Sequence, residues 1–220
     1  MKISAVSLLL LFLASSVQAA TLETYSTGTA TPTSIGGYSM TDFASTGAGG
    51  TTSSLASPIS GSIEFKDRYG NAEPMVRSTA DTVSWWNNGE SFDYDVFLTG
   101  ESLITILLPE NTRAFSFNVG ADLGSTGNNA WLTATETSGS GVSKTWFNVN
   151  RNNTPGFGIY ADNSAGACSS SLTSVTIDPV FWGFGNFSIN QDTCTVPESS
   201  SFYLLLVGLI GLMGFAKRRR

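Results

Sequence analysis

Two tryptophans on strands otherwise built from Asn, Thr and Lys are the residues of this sequence whose surroundings suit recognition chemistry. Trp131 shares a strand face with Thr133 and Thr135, and Trp146 shares one with Lys144, Asn148 and Asn150. An indole on a wet strand, flanked by amides and hydroxyls, can stack on a sugar ring while its neighbours bond the sugar hydroxyls. Trp131, Trp146, Asn148 and Asn150 are therefore the candidate glycan-binding set. The same pattern also fits two rings covering a sheet face beneath a Ser/Thr/Gly-rich segment. A slip of one residue would exchange the faces.

Catalytic chemistry has less to work with. The chain contains no histidine, which removes Ser-His-Asp and Cys-His catalysis and histidine-based zinc sites. Carboxylates are the main acid–base groups left, and a pair of them hydrolyses glycosides only at defined separations. Asp93 and Asp95 alternate along one strand with Glu90 nearby, a set from which a calcium site could be built. A solvated strand face explains the same residues more simply. No nucleophile, phosphate loop or cofactor motif is present. No catalytic residue, metal ligand or cofactor is assigned, and the chain is read as a non-enzyme.

The elements that position these residues are strands. Of 220 residues, 41% are hydrophobic and only 13% charged, about half the usual charged share of a globular chain. Helix surfaces need more Glu, Lys and Arg than this. A net charge of −6 offers no basic footprint for nucleic acid. Apolar residues alternate with polar ones at Ile63 and Phe65, at Phe92 to Leu98 with Phe97 out of phase, at Phe115 to Val119, at Phe147 and Val149, and at Val175 and Ile177. Each reads as a strand with one wet face. Turn formers separate them, as at Asn88-Gly89 and Pro109-Glu110-Asn111.

Many short antiparallel strands of this kind predict an all-β fold, a jelly-roll-like β-sandwich over residues 62–194. Residues 20–61, rich in Ser, Thr and Gly, read as a loose lead-in or short edge strands, with firm structure expected from Ser62. Adjacent Trp85 and Trp86 would point to opposite faces of a strand. Leu172–Asp178 and Gly183–Asn190 are expected to form a hairpin turning around Pro179–Trp182. Cys168 and Cys194 would then meet at its open end as a disulfide, the favoured state in an oxidising compartment.

Both ends read as addresses. Lys2, an apolar run from Ile3 to Ala14, and small residues at Val17 and Ala19 describe a secretory signal peptide, residues 1–19. Near the other end, residues 202–216 carry no charge and are followed by Lys217, Arg218, Arg219 and Arg220. A helix there spans roughly 22 Å at ~1.5 Å per residue, and the positive-inside rule puts the basic tail in the cytoplasm. The exported body, with six basic residues against sixteen acidic ones between Ala20 and Val196, carries about −10.

Val196-Pro197-Glu198, the short apolar helix and the terminal arginine cluster together resemble the PEP-CTERM sorting signal of Gram-negative bacteria, over residues 196–220. The resemblance implies recognition by exosortase, a membrane-embedded cysteine protease, removal of the helix, and delivery to the cell surface or extracellular matrix. Proteins of that family accompany exopolysaccharide or biofilm production. Ser199 stands where the usual second proline would be. An uncut membrane anchor in the inner membrane is the other reading of the tail. For the body, three readings follow in order: a non-enzymatic surface or matrix protein, a glycan-binding module, and a secreted carboxylate-dependent hydrolase.

Overall fold

The computed structural model describes residues 20–25, 31–47, 49–86, 94–122, 128–137, 142–149, 154–161, 170–178 and 182–192. The early strands are short: β1 (Thr21–Tyr25), β2 (Ser34–Ile35), β3 (Tyr38–Ser39), β4 (Thr41–Asp42), β5 (Thr51–Thr52) and β6 (Ser54–Ala56). The middle of the chain gives β7 (Ser62–Lys66), β8 (Met75–Thr79), β9 (Asp95–Thr99), β10 (Ile104–Leu107) and β11 (Thr112–Ala121). The last five are β12 (Asn128–Glu136), β13 (Val142–Val149), β14 (Gly156–Tyr160), β15 (Leu172–Asp178) and β16 (Trp182–Gln191). One turn of 3-10 helix, Ala80–Thr82, follows β8.

The strands form two facing antiparallel sheets. One runs β1-β14-β11-β16-β9-β8-β5, with β4 also against β16, and the other runs β13-β12-β15-β10-β7-β6. From β9 onward the pairing is nested: β9 beside β16, β10 beside β15, β11 beside β14 and β12 beside β13. That nesting is the strand order of a jelly roll, in which successive strands alternate between sheets as they wrap one core. A separate ribbon of β2 and β3 completes the described residues.

The expected hairpin of β15 and β16 does not form. β15 pairs with β10 and β12 in one sheet, whereas β16 pairs with β11, β9 and β4 in the other. Each strand has an apolar side to bury, and crossing the sandwich lets both sides face the same core. Without that hairpin its open end does not exist to bring Cys168 and Cys194 together, and both cysteines lie outside the described residues. The sandwich also begins earlier than Ser62. β1 is an edge strand in register with β14, Thr21 opposite Tyr160, and β4, β5 and β6 add further pairings upstream of Ser62.

Phe187 is the hub of the core. Its ring contacts Phe43, Phe65, Phe97, Phe115 and Phe117, with centroids 5.7–6.5 Å away. A plain period of two from Phe184 would send residue 186 inward instead. A register shift of β16 against β11 inserts one extra residue, and Asn186 takes it up at φ 55°. Asparagine tolerates this left-handed conformation better than most residues. The bulge turns Phe187 into the core behind Phe184.

The larger sheet is buried on both faces at its centre, which corrects two alternation readings. Every residue of β11 is buried, including Ser116 and Asn118. The Ser116 hydroxyl is 2.5 Å from that of Ser188, and the Asn118 amide donates to the Thr154 carbonyl at 3.0 Å and accepts from Asn186 at 3.1 Å. In β9, Phe97 joins the main core, while Val96 packs with Ala80, Val83 and Trp86 under a second apolar layer. Trp85 and Trp86 lie in a turn, not a strand, so strand alternation does not apply to them. Both rings cover glycines of the sheet: a Cβ on Gly120 or Gly183 would come within 3.1 Å of both indoles. The Trp86 indole N–H donates to the Tyr94 hydroxyl at 2.9 Å.

Candidate functional site

The smaller sheet leaves its outer face to solvent. In β12, Ala130, Leu132 and Ala134 face the core, so Trp131, Thr133 and Thr135 face out. In β13, Phe147 and Val149 turn inward, and Trp146 and Asn148 are exposed. Trp146 is 57% exposed, among the most open large apolar residues described. Asn150 lies outside the described residues.

The two tryptophans are direct partners. Trp131 is opposite Trp146 in the β12–β13 register, and the indoles lie against one another with their planes tilted by 38°. Asn129 is opposite Asn148 one step along the same face, and both are exposed. Three of the four candidate residues thus share one surface.

The register brings in residues that were not candidates. Trp131 is also opposite Asp178 of β15, and Asp178 is exposed. One row therefore reads Trp146, Trp131, Asp178 across three strands. The next row reads Lys144, Thr133, Thr176, Thr105 and Lys66 across five. Within it the Thr105 and Thr176 hydroxyls are 3.0 Å apart, and Lys66 is paired with Glu64 at 2.8 Å. A shallow groove of about 320 Å³ is lined by Leu103, Trp131, Thr133, Thr176 and Asp178. Chemically this is an aromatic platform bordered by hydroxyls, amides and one carboxylate.

The acidic set read as a calcium candidate comes apart. Asp93 and Glu90 lie outside the described residues, and Asp95 is buried rather than on a solvated face. Its Oδ1 accepts from the Ser45 hydroxyl at 2.9 Å and the Gly47 N–H at 3.2 Å. Its Oδ2 accepts from the Thr46 N–H at 2.9 Å and the Thr46 hydroxyl at 3.0 Å. The carboxylate clamps residues 45–47 against β9. Arg77 braces the same loop through Thr46 and the Gly49 carbonyl. Among the described residues, no group of three carboxylate or cysteine side chains is placed to hold a metal ion.

No family model matches this chain, and no curated protein matches it. Among solved structures it is similar to TmCBM61 in complex with beta-1,4-galactotriose, at 11% identity over 59% of this chain and 88% of that one, with a TM-score of 0.29. It is also similar to BiXyn10A CBM1 in its apo form, at 12% identity over 78% of this chain and 97% of that one, with a TM-score of 0.24.

Proposed function

We propose that this protein is an exported, non-catalytic β-sandwich that binds a polysaccharide at the cell surface or in the extracellular matrix. The observation that supports the reading is the Trp131–Trp146 pair, opposite one another in register with Trp146 open to solvent. A pyranose ring laid on the indoles buries its apolar face. Asn148, Asn129, Thr133 and Asp178 border the platform and suit its hydroxyls. Export and sorting belong to the same proposal. The signal peptide carries the chain across the inner membrane, the tail holds it there, and an exosortase acts at Val196–Glu198. A Cys168–Cys194 disulfide fits that exported state.

Retention on the polysaccharide of the producing cell tests the binding. Trp146→Ala should weaken it by about 1 kcal/mol, roughly five-fold in affinity, with the fold intact. Unchanged retention for both Trp131→Ala and Trp146→Ala would remove the platform. Polysaccharide cleavage that disappears on changing one Asp or Glu would overturn the non-catalytic reading.

A further inference from the structure

Asp178 ends the row that the two indoles begin. It is opposite Trp131 in register, exposed, and lines the groove beside that ring. Its carboxylate makes no hydrogen bond or ion pair with any described residue. Among the described residues, the basic positions on this face are elsewhere. Lys144 starts two strands away, about 10 Å at the usual strand spacing, opposite Thr133 in the next row. Lys66 is held by Glu64.

The sign of charge separates the sugars such a row can take. An anionic sugar meets a carboxylate, and behind it a body carrying about −10. A neutral sugar gains one ordinary acceptor. An ammonium gains twice, from the carboxylate and from the electron-rich face of the indole. We propose that the platform prefers polysaccharides bearing free amines, with the ammonium of a de-N-acetylated hexosamine seated between Trp131 and Asp178. This deepens the glycan-binding reading and rests on it.

Two oligomers of one backbone isolate the charge: a β-1,4-linked glucosamine hexamer and its fully N-acetylated counterpart, titrated into the protein at low salt. The free-amine oligomer should bind roughly three- to ten-fold more tightly. The margin should shrink in high salt and as pH rises through the pKa of the sugar amine. Asp178→Asn should abolish the preference, bringing the two oligomers to within about two-fold of one another whatever it costs both, since the charge is removed and a neutral contact of similar shape is kept. Equal affinities in the wild type, a preference that survives Asp178→Asn, tighter binding of a uronic-acid polymer, or no binding of the free-amine oligomer would each overturn the proposal. Trp146→Ala separates the two readings. If it weakens both oligomers equally while no preference exists, the platform stands and the amine selectivity falls. If neither Trp146→Ala nor Trp131→Ala weakens either oligomer, the platform itself falls.

Discussion

Arg113 and Glu136 stand on strands of opposite sheets and meet at one residue, Ser170. The Arg113 guanidinium donates to the Ser170 carbonyl, and the Ser170 hydroxyl donates to a Glu136 carboxylate oxygen at 2.8 Å. All three are buried. A serine just before β15 thus ties the two sheets together at one end of the sandwich. The neighbourhood has a direct bearing on the cysteines.

Cys168 precedes Ser170 by two residues, and Cys194 follows Asp192 by two. Ser170 is bonded to Arg113, while the Asp192 N–H donates to the Asn111 carbonyl and Gln191 is opposite Thr112. Ser170 and Asp192, the described residues nearest the two cysteines in the chain, are therefore both bonded to residues 111–113. The disulfide is expected on this ground, as a tie across the sandwich end rather than the closure of a hairpin. Peptide mapping without reduction should recover the two segments linked. In the chain-entropy model the bond contributes roughly 3–4 kcal/mol, to be read as the loss in a Cys168→Ser, Cys194→Ser double variant. Two free thiols in protein isolated from the cell surface would reject the tie.

Asp95 should behave as a structural acceptor. Asp95→Ala strands the N–H groups of Thr46 and Gly47 together with two hydroxyls, a loss of about 3 kcal/mol or more. Asp95→Asn should also destabilise, because its amide nitrogen cannot accept from the donors around one carboxylate oxygen. Urea unfolding of both variants measures this through the midpoint at constant slope. A neutral result for Asp95→Asn would show that the loop does not depend on two acceptor oxygens.

Gly120 should resist even a methyl group. Its Cβ would meet Trp86 at 2.8 Å, Thr154 at 2.9 Å and Trp85 at 3.0 Å. Overpacking of this kind costs roughly 1–3 kcal/mol. Gly120→Ala should lower the unfolding midpoint and alter the near-ultraviolet circular dichroism of the tryptophans. Full stability with an unchanged spectrum would mean that the Trp85–Trp86 turn is free to lift.

The ends of the mature chain can be weighed directly. β1 starts at Thr21 and Ala20 is buried, so cleavage after Ala19 would spare the first strand. Intact-mass measurement of the surface form should give a chain starting at Ala20 and lacking Lys217 to Arg220. A mass that retains the four cations in an exosortase-competent host would leave the uncut anchor.

Much of the architecture was legible from local pattern. Period-two alternation marked β7, β13 and β15, and it assigned Trp146 and Asn148 to the solvent side because Phe147 and Val149 need a core. The all-β class followed from the same signal together with sparse charge and abundant turn formers. These are properties of a few consecutive residues, and a strand's two faces are fixed by its own side chains.

Pairing is a different matter, because it joins residues far apart in the chain. Trp131 and Asp178 are neighbours only because β15 crosses to the smaller sheet and lies beside β12; proximity in sequence suggested β16 instead. Phe97 looked out of phase and Asp95 was assigned to a solvated face because an alternation rule assumes one wet face, and β9 is covered on both. Phe187 faces the core through a bulge that a period of two cannot show. Local pattern dictates that there are strands and which side of several is wet. Which strands meet is settled over the whole chain, since that choice minimises exposed apolar surface globally rather than within any one segment.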